Sequence, residues 1–152
     1  MNASTTKQKL VIVLHGVHDS GKTTTLNLLI QLLLGAEGSS LLEEDRKDLR
    51  GEDRRVLISY QGKTVYVATP GDLEEVTEES VRHFQEKDYD ILVTAALSRG
   101  KTHAPIKKYV LEHSVQAVWV KKRRVKEGRD EVNRAQAQEL KDRIDAFIKA
   151  HP

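Results

Sequence analysis

Residues 10–25, LVIVLHGVHDSGKTTT, limit what this chain can fold into more than any other stretch. Leu10, Val11, Ile12, Val13 and Leu14 form an apolar, mostly β-branched run of the kind that makes a buried strand. The run ends at Gly16, and residues 16–23 then read G-x-x-x-x-G-K-T. A helix follows over residues 21–34, because Leu26, Leu29, Ile30 and Leu33 share one face and Gly35 supplies a stop. Two glycines in a strand-to-helix turn let the backbone bend until successive N–H groups converge on one point. The helix start adds free N–H donors and the positive end of its dipole. Lys22 adds a point charge for outer phosphates, and the Thr23 hydroxyl is a ligand suited to Mg²⁺.

This stretch resembles the phosphate-binding loop of the P-loop NTPase superfamily, closely so over residues 9–25. The resemblance implies an α/β fold of three layers with helices on both faces of a mostly parallel sheet. It implies a nucleoside triphosphate ligand, ATP or GTP, with Mg²⁺. Gly16, Asp19, Ser20, Gly21, Lys22, Thr23 and Thr24 are then nucleotide-binding positions, Lys22 also serves catalysis, and Thr23 holds the metal.

A chain of 152 residues suits one domain, residues 1–152. Its 25 basic and 23 acidic residues nearly cancel, so overall charge gives no reason to expect a nucleic-acid partner. The absence of cysteine rules out disulfides and thiolate metal sites. No apolar run approaches the ~20 residues of a membrane span, and the polar start resembles no signal peptide. A cytoplasmic protein without a membrane partner is the expectation.

Residues 1–8 read as a flexible tail. Residues 36–53, AEGSSLLEEDRKDLRGED, read as a long mobile loop, either a lid or switch or a passive insertion. Ser39 and Ser40 within it could approach a metal. Residues 56–60 and 64–69 are strand-like and are joined by Gln61-Gly62-Lys63, which calls for an antiparallel hairpin. The expected sheet has about five strands, four of them parallel, with residues 56–60 as an antiparallel edge strand.

The second hairpin strand ends in Ala68-Thr69-Pro70-Gly71-Asp72. It resembles the Asp-Thr-Pro-Gly end of the matching strand in Ras-type GTPases, whose hairpin layout is also similar. There the Asp holds Mg²⁺ through water and the Gly N–H meets the terminal phosphate, which implies a nucleotide contact at Gly71. Ala68 stands where the acid would be, and Asp72 is the nearest carboxylate. Asp72 has two readings: the catalytic and metal-binding acid, or a helix N-cap, since Asp72-Leu73-Glu74-Glu75 fits a capping box.

A helix is expected over residues 73–86 and a buried parallel strand over 89–97. Ligands of open α/β sheets bind beyond the carboxyl ends of the strands, which makes Arg99 and Lys101 candidates for a phosphate or an anionic substrate. A helix at 104–112 and a strand at 115–120 follow, with Trp119 packing in the core or at the edge. Lys121-Lys122-Arg123-Arg124 then occupies the place of the GTPase Asn-Lys-x-Asp motif. A cation at Arg124 cannot accept the guanine N–H groups that the Asp accepts, so ATP is favoured over GTP, with Lys122 available to stack on the base. The last helix spans residues 131–148, with Val132, Ala135, Leu140, Ile144, Phe147 and Ile148 on its apolar side.

Two functions fit these residues. One is a Mg²⁺-dependent NTPase or small kinase in which Asp72, or Asp19, orients water or an acceptor and His18 could assist. The other is a nucleotide-dependent regulatory switch with low turnover. The sequence names neither a phosphate acceptor nor a protein partner.

Overall fold

Every long apolar run of the sequence becomes an element of one sheet or a helix packed on it. The computed structural model describes residues 8–46, 49, 51–98, 100, 102–113 and 115–152. In chain order the elements are β1 (Leu10–His15), α1 (Lys22–Leu34), β2 (Ser40–Asp45), β3 (Arg55–Tyr60), β4 (Lys63–Ala68), α2 (Glu74–Gln85), β5 (Ile91–Ala96), α3 (His103–His113), β6 (Gln116–Lys121) and α4 (Arg129–Ala150). The expected tail falls mostly on residues 1–7, and Arg99 and Lys101 fall at two further positions; all of these lie outside the described residues.

The strands form a six-stranded mixed sheet in the order β2-β3-β4-β5-β1-β6. β4, β5, β1 and β6 run parallel, as their apolar character requires, and β3 is antiparallel to both neighbours. Leu10 lies opposite Ile91 and Gln116, and His15 opposite Ala96 and Lys121. The three strands therefore end level, and the loops at their carboxyl ends gather in one place.

Alternate residues of β1 face opposite layers. Leu10, Ile12 and Leu14 pack against Leu26, Leu29 and Leu33 of α1 and Leu140 and Ile144 of α4. Val11 and Val13 face Phe84 of α2 and Ile106 and Tyr109 of α3. Both faces are thus covered, which is why β1 and β5 are apolar throughout rather than alternating. Each fully buried leucine or isoleucine contributes roughly 1.5–3 kcal/mol, enough to fix where α1 begins.

Three expectations are corrected. The sheet has six strands, because Ser40–Asp45, inside the stretch read as a mobile loop, is strand β2. β2 covers β3, so β3 is not an edge strand. The signal was hidden because β2 is bulged between Leu41 and Glu43 and its acids pair with distant bases: Glu43 with Lys87, Glu44 with Arg54, Asp45 with His83. In α4, Ala135 is exposed, and the buried stripe runs through Asn133, Gln136, Ala137, Leu140, Ile144 and Phe147.

The hairpin is tighter than the three-residue connection suggested. Tyr60 pairs with Lys63, leaving Gln61 (φ 49°) and Gly62 (φ 79°) as a two-residue turn, both left-handed. The Thr-Pro-Gly end of β4 lies one strand away from β1, with β5 between them. Among the described residues no helix is long and apolar enough to cross a membrane.

Candidate functional site

The turn from β1 into α1 is built by residues 16–21. Asp19 (φ 57°) and Gly21 (φ 97°) both take left-handed backbone. Gly21 is the N-cap of α1, and no side chain caps that end. A side chain at Gly21 would also strike Asn133 Oδ1, 2.9 Å from where its Cβ would sit. At Gly16 a Cβ would lie 2.8 Å from Ser20 Oγ. The loop is therefore folded tightly on itself and on α4. Arg129 donates to the Asp19 carbonyl at 2.8 Å, and Thr25 donates to Asn133 Oδ1 at 3.3 Å.

A cavity of about 630 Å³ opens over this loop. Asp19, Ser20, Gly21, Lys22, Thr23, Thr24 and Asp72 line one part of it, and Arg129, Asp130 and Asn133 of α4 the rest. The Lys22 side chain is only 4% exposed. Its ammonium donates to Gly16 O at 3.0 Å and Val17 O at 2.9 Å, and lies 2.7 Å from Asp72 Oδ1. Ser20 Oγ is buried and, among the described residues, has no hydrogen-bond partner. His18 Nδ1 is 3.5 Å from Asp72 Oδ2.

Asp72 is not a helix cap. The N-cap of α2 is Leu73, in extended backbone with no side-chain cap bond, and the Asp72 carboxylate is directed to Lys22 instead. Thr23 and Asp72, expected to share a metal, have different partners: Thr23 Oγ1 donates to Asp53 Oδ1 at 3.2 Å. Among the described residues no three His, Asp or Glu side chains form a metal-binding group. Gly71 is pressed against β5, and a Cβ there would lie 2.6 Å from the Ala95 carbonyl carbon.

Asp53 is the functional candidate that sequence reasoning missed. It precedes β3, and its Oδ1 also accepts from Thr69 Oγ1 at 3.0 Å, while Thr69 Oγ1 accepts from Arg54 N at 2.8 Å. Ala68 faces the other way, into the cluster of Val11, Val13 and Ala96. The signal was available in the hairpin: counting back from Gln61-Gly62 places Arg54 beside Thr69 and Asp53 at the mouth of the sheet.

At the end of β6, Lys122 is 3% exposed rather than solvated. Its N–H donates to His15 O at 2.7 Å and its ammonium to Arg123 O at 2.6 Å. Burial, with Arg123, Arg129 and Lys22 nearby, lowers its pKa. Gln136 of α4 clasps this segment, accepting from Arg123 N at 2.9 Å and donating to Lys121 O at 2.7 Å. A second cavity, of about 610 Å³, runs from Gly16 and Ser20 past Ser98 to Lys122 and Arg124. His15 Nδ1 lies 3.2 Å from Ser98 Oγ beneath it. Trp119 packs at the sheet edge, stacked on His103 at 4.3 Å.

Asn133 and Gln136 were also missed, although their spacing with Leu140 and Ile144 places them on the buried stripe of α4. Polar residues on such a stripe signal a buried polar partner, here the two loops. In comparisons with protein-family models, curated proteins and solved structures, nothing matches this chain.

Proposed function

We propose that this chain is a P-loop NTPase that binds a Mg²⁺-nucleoside triphosphate over residues 16–24 and hydrolyses it or transfers its terminal phosphoryl group, with ATP favoured over GTP. The observation that carries this reading is the setting of Lys22: a buried ammonium at a helix start with no side-chain cap, beside a Ser20 hydroxyl that has no partner among the described residues, at the floor of an open cavity. Such a place concentrates donors and positive charge where phosphate oxygens need them. Lys22 exchanges its partners for phosphate oxygens, Ser20 donates its hydroxyl, and the first N–H groups of α1 complete the cradle. Asp72, adjoining Lys22, orients the attacking water or acceptor hydroxyl.

Thr23 offers a hydroxyl oxygen backed by the Asp53 carboxylate, which fits Mg²⁺ as a hard cation that takes oxygen ligands and keeps several waters. The metal, when bound, neutralises charge on the phosphate oxygens. A regulatory switch is a second reading, supported by the Lys22–Asp72 contact that ties the loop to the start of α2.

Lys22→Ala tests the proposal. Calorimetric titration is expected to show loss of ATP and GTP binding, while circular dichroism shows an intact fold. Unchanged affinity in the variant overturns the phosphate-loop reading.

A further inference from the structure

We propose that Asp53, an acid from the connection between β2 and β3, is the positioning residue for the divalent-cation site at Thr23. This inference rests on the nucleotide reading above and deepens it.

A threonine hydroxyl has one proton and two lone pairs. The Thr23 proton is directed to Asp53 Oδ1. Its lone pairs are then left for a cation, and the negative charge behind the hydroxyl makes its oxygen a better ligand. A second-sphere carboxylate acts on a metal ligand in this way.

The carboxylate is itself held. Arg54 N donates to Thr69 Oγ1, and Thr69 Oγ1 donates to Asp53 Oδ1, so each donor in the chain is used once and in one direction. The segment is fastened on both sides of Asp53. Asn27 of α1 donates to Glu52 O at 2.9 Å, and the Arg54 guanidinium grips both Glu44 oxygens of β2 at 2.9 Å each. An acid fixed to α1, β2 and β4 together has little freedom to leave Thr23.

The other acids near the cavity are committed or distant from this hydroxyl. Asp72 is paired with Lys22. Asp19 and Asp130 line the cavity from exposed positions. The end of β4 offers no acid, because Ala68 is turned into the apolar cluster and its successor Thr69 faces the site. Asp53 therefore reaches from the neighbouring strand what β4 does not carry.

The test is calorimetric titration of the full chain with ATP, once with excess Mg²⁺ and once with EDTA. Variants are Asp53→Asn and Thr69→Val. Loss of a second-sphere partner costs about 10–100-fold in metal affinity. Asp53→Asn is expected to weaken Mg²⁺-ATP binding at least tenfold (the low end of that range) and to leave binding in EDTA unchanged or tighter. Thr69→Val, which keeps the carboxylate but frees it, is expected to show a smaller loss with the same dependence on Mg²⁺. It also carries the test should Asp53→Asn fail to fold by circular dichroism. Equal losses with and without metal, or no loss in either variant, overturn the role of Asp53. A parent chain that binds ATP in neither condition overturns the nucleotide reading itself, a distinct result.

Discussion

Lys22 Nζ and Asp72 Oδ1 are 2.7 Å apart, which joins the cation of the β1–α1 loop to the residues that lead into α2. The ammonium donates to Gly16 O and Val17 O and rests against Asp72 as an ion pair. An arriving phosphate must displace one of them. Asp72, the charged partner and 40% exposed at its side chain, is the one an anion competes with most directly.

Competition at that ammonium sets the first expectation. Asp72→Asn removes the charged competitor, and an ion pair with an exposed member is worth about 0.2–1 kcal/mol. Metal-free ATP is therefore expected to bind a few-fold tighter in calorimetric titration. Turnover of Mg²⁺-ATP is expected to fall at least tenfold, order-of-magnitude for loss of a nucleophile-orienting group. Unchanged affinity would show that Asp72 does not compete with phosphate, and unchanged turnover that it does not orient the nucleophile.

Gly71 sets a stability test. An alanine Cβ would come within 2.6 Å of the backbone of Ala95, a buried strand that cannot give way cheaply. Overpacking of this kind costs about 1–3 kcal/mol. Urea denaturation of Gly71→Ala should show that loss with an unchanged slope. A midpoint equal to the parent's would mean that the Thr-Pro-Gly turn lifts off β5 freely.

Base preference is expected to lie with ATP, or at parity. Arg124 lines the second cavity, and a guanidinium offers only donors to the guanine N–H groups. An unmet buried polar group costs about 1–3 kcal/mol. Adenine needs no carboxylate; backbone groups suffice. Competition binding decides the matter, and a tenfold preference for GTP would place the base elsewhere.

His15 sets a pH dependence. Burial lowers its pKa, and His103, Lys121 and Lys22 lower it further, so the imidazole stays neutral in the fold below its ordinary value of about 6.5. Between the folded value and about 6.5 the unfolded chain binds more protons than the native one, so stability rises with pH across that window. The contribution is intact at pH values above about 7 and is lost as pH falls toward the folded value. His15→Gln should lose less melting temperature than the parent on going from pH 7 to pH 5 (roughly half a unit above and one and a half units below that ordinary value). An NMR titration of His15 with a midpoint at or above about 6.5 would contradict this.

The local parts of this fold were legible in the sequence because their causes are local. β1, α1 and the hairpin follow from periodicity and turn chemistry, and β5 from its length of unbroken apolar character. β2 was not legible because SLLEED pairs with β3 while its acids meet Lys87, Arg54 and His83, which lie 10–44 residues away. Asp72 was ambiguous for a similar reason: its cap geometry is written in its neighbours, but the Lys22 ammonium across the cavity outbids them. At α4, Asn133 and Gln136 lie on the buried stripe because two loops lie over them.

Gln136 has a further consequence. It accepts from Arg123 N and donates to Lys121 O, which is the bonding that one residue of a parallel strand would offer to positions 121 and 123. A side-chain amide thus stands in for a peptide group and closes the edge of the sheet where β6 meets the loop. Open sheet edges invite strands from other chains. At this rim the two groups such a strand would need are already engaged from within, so a peptide added along β6 finds no partner at the end nearest the cavity.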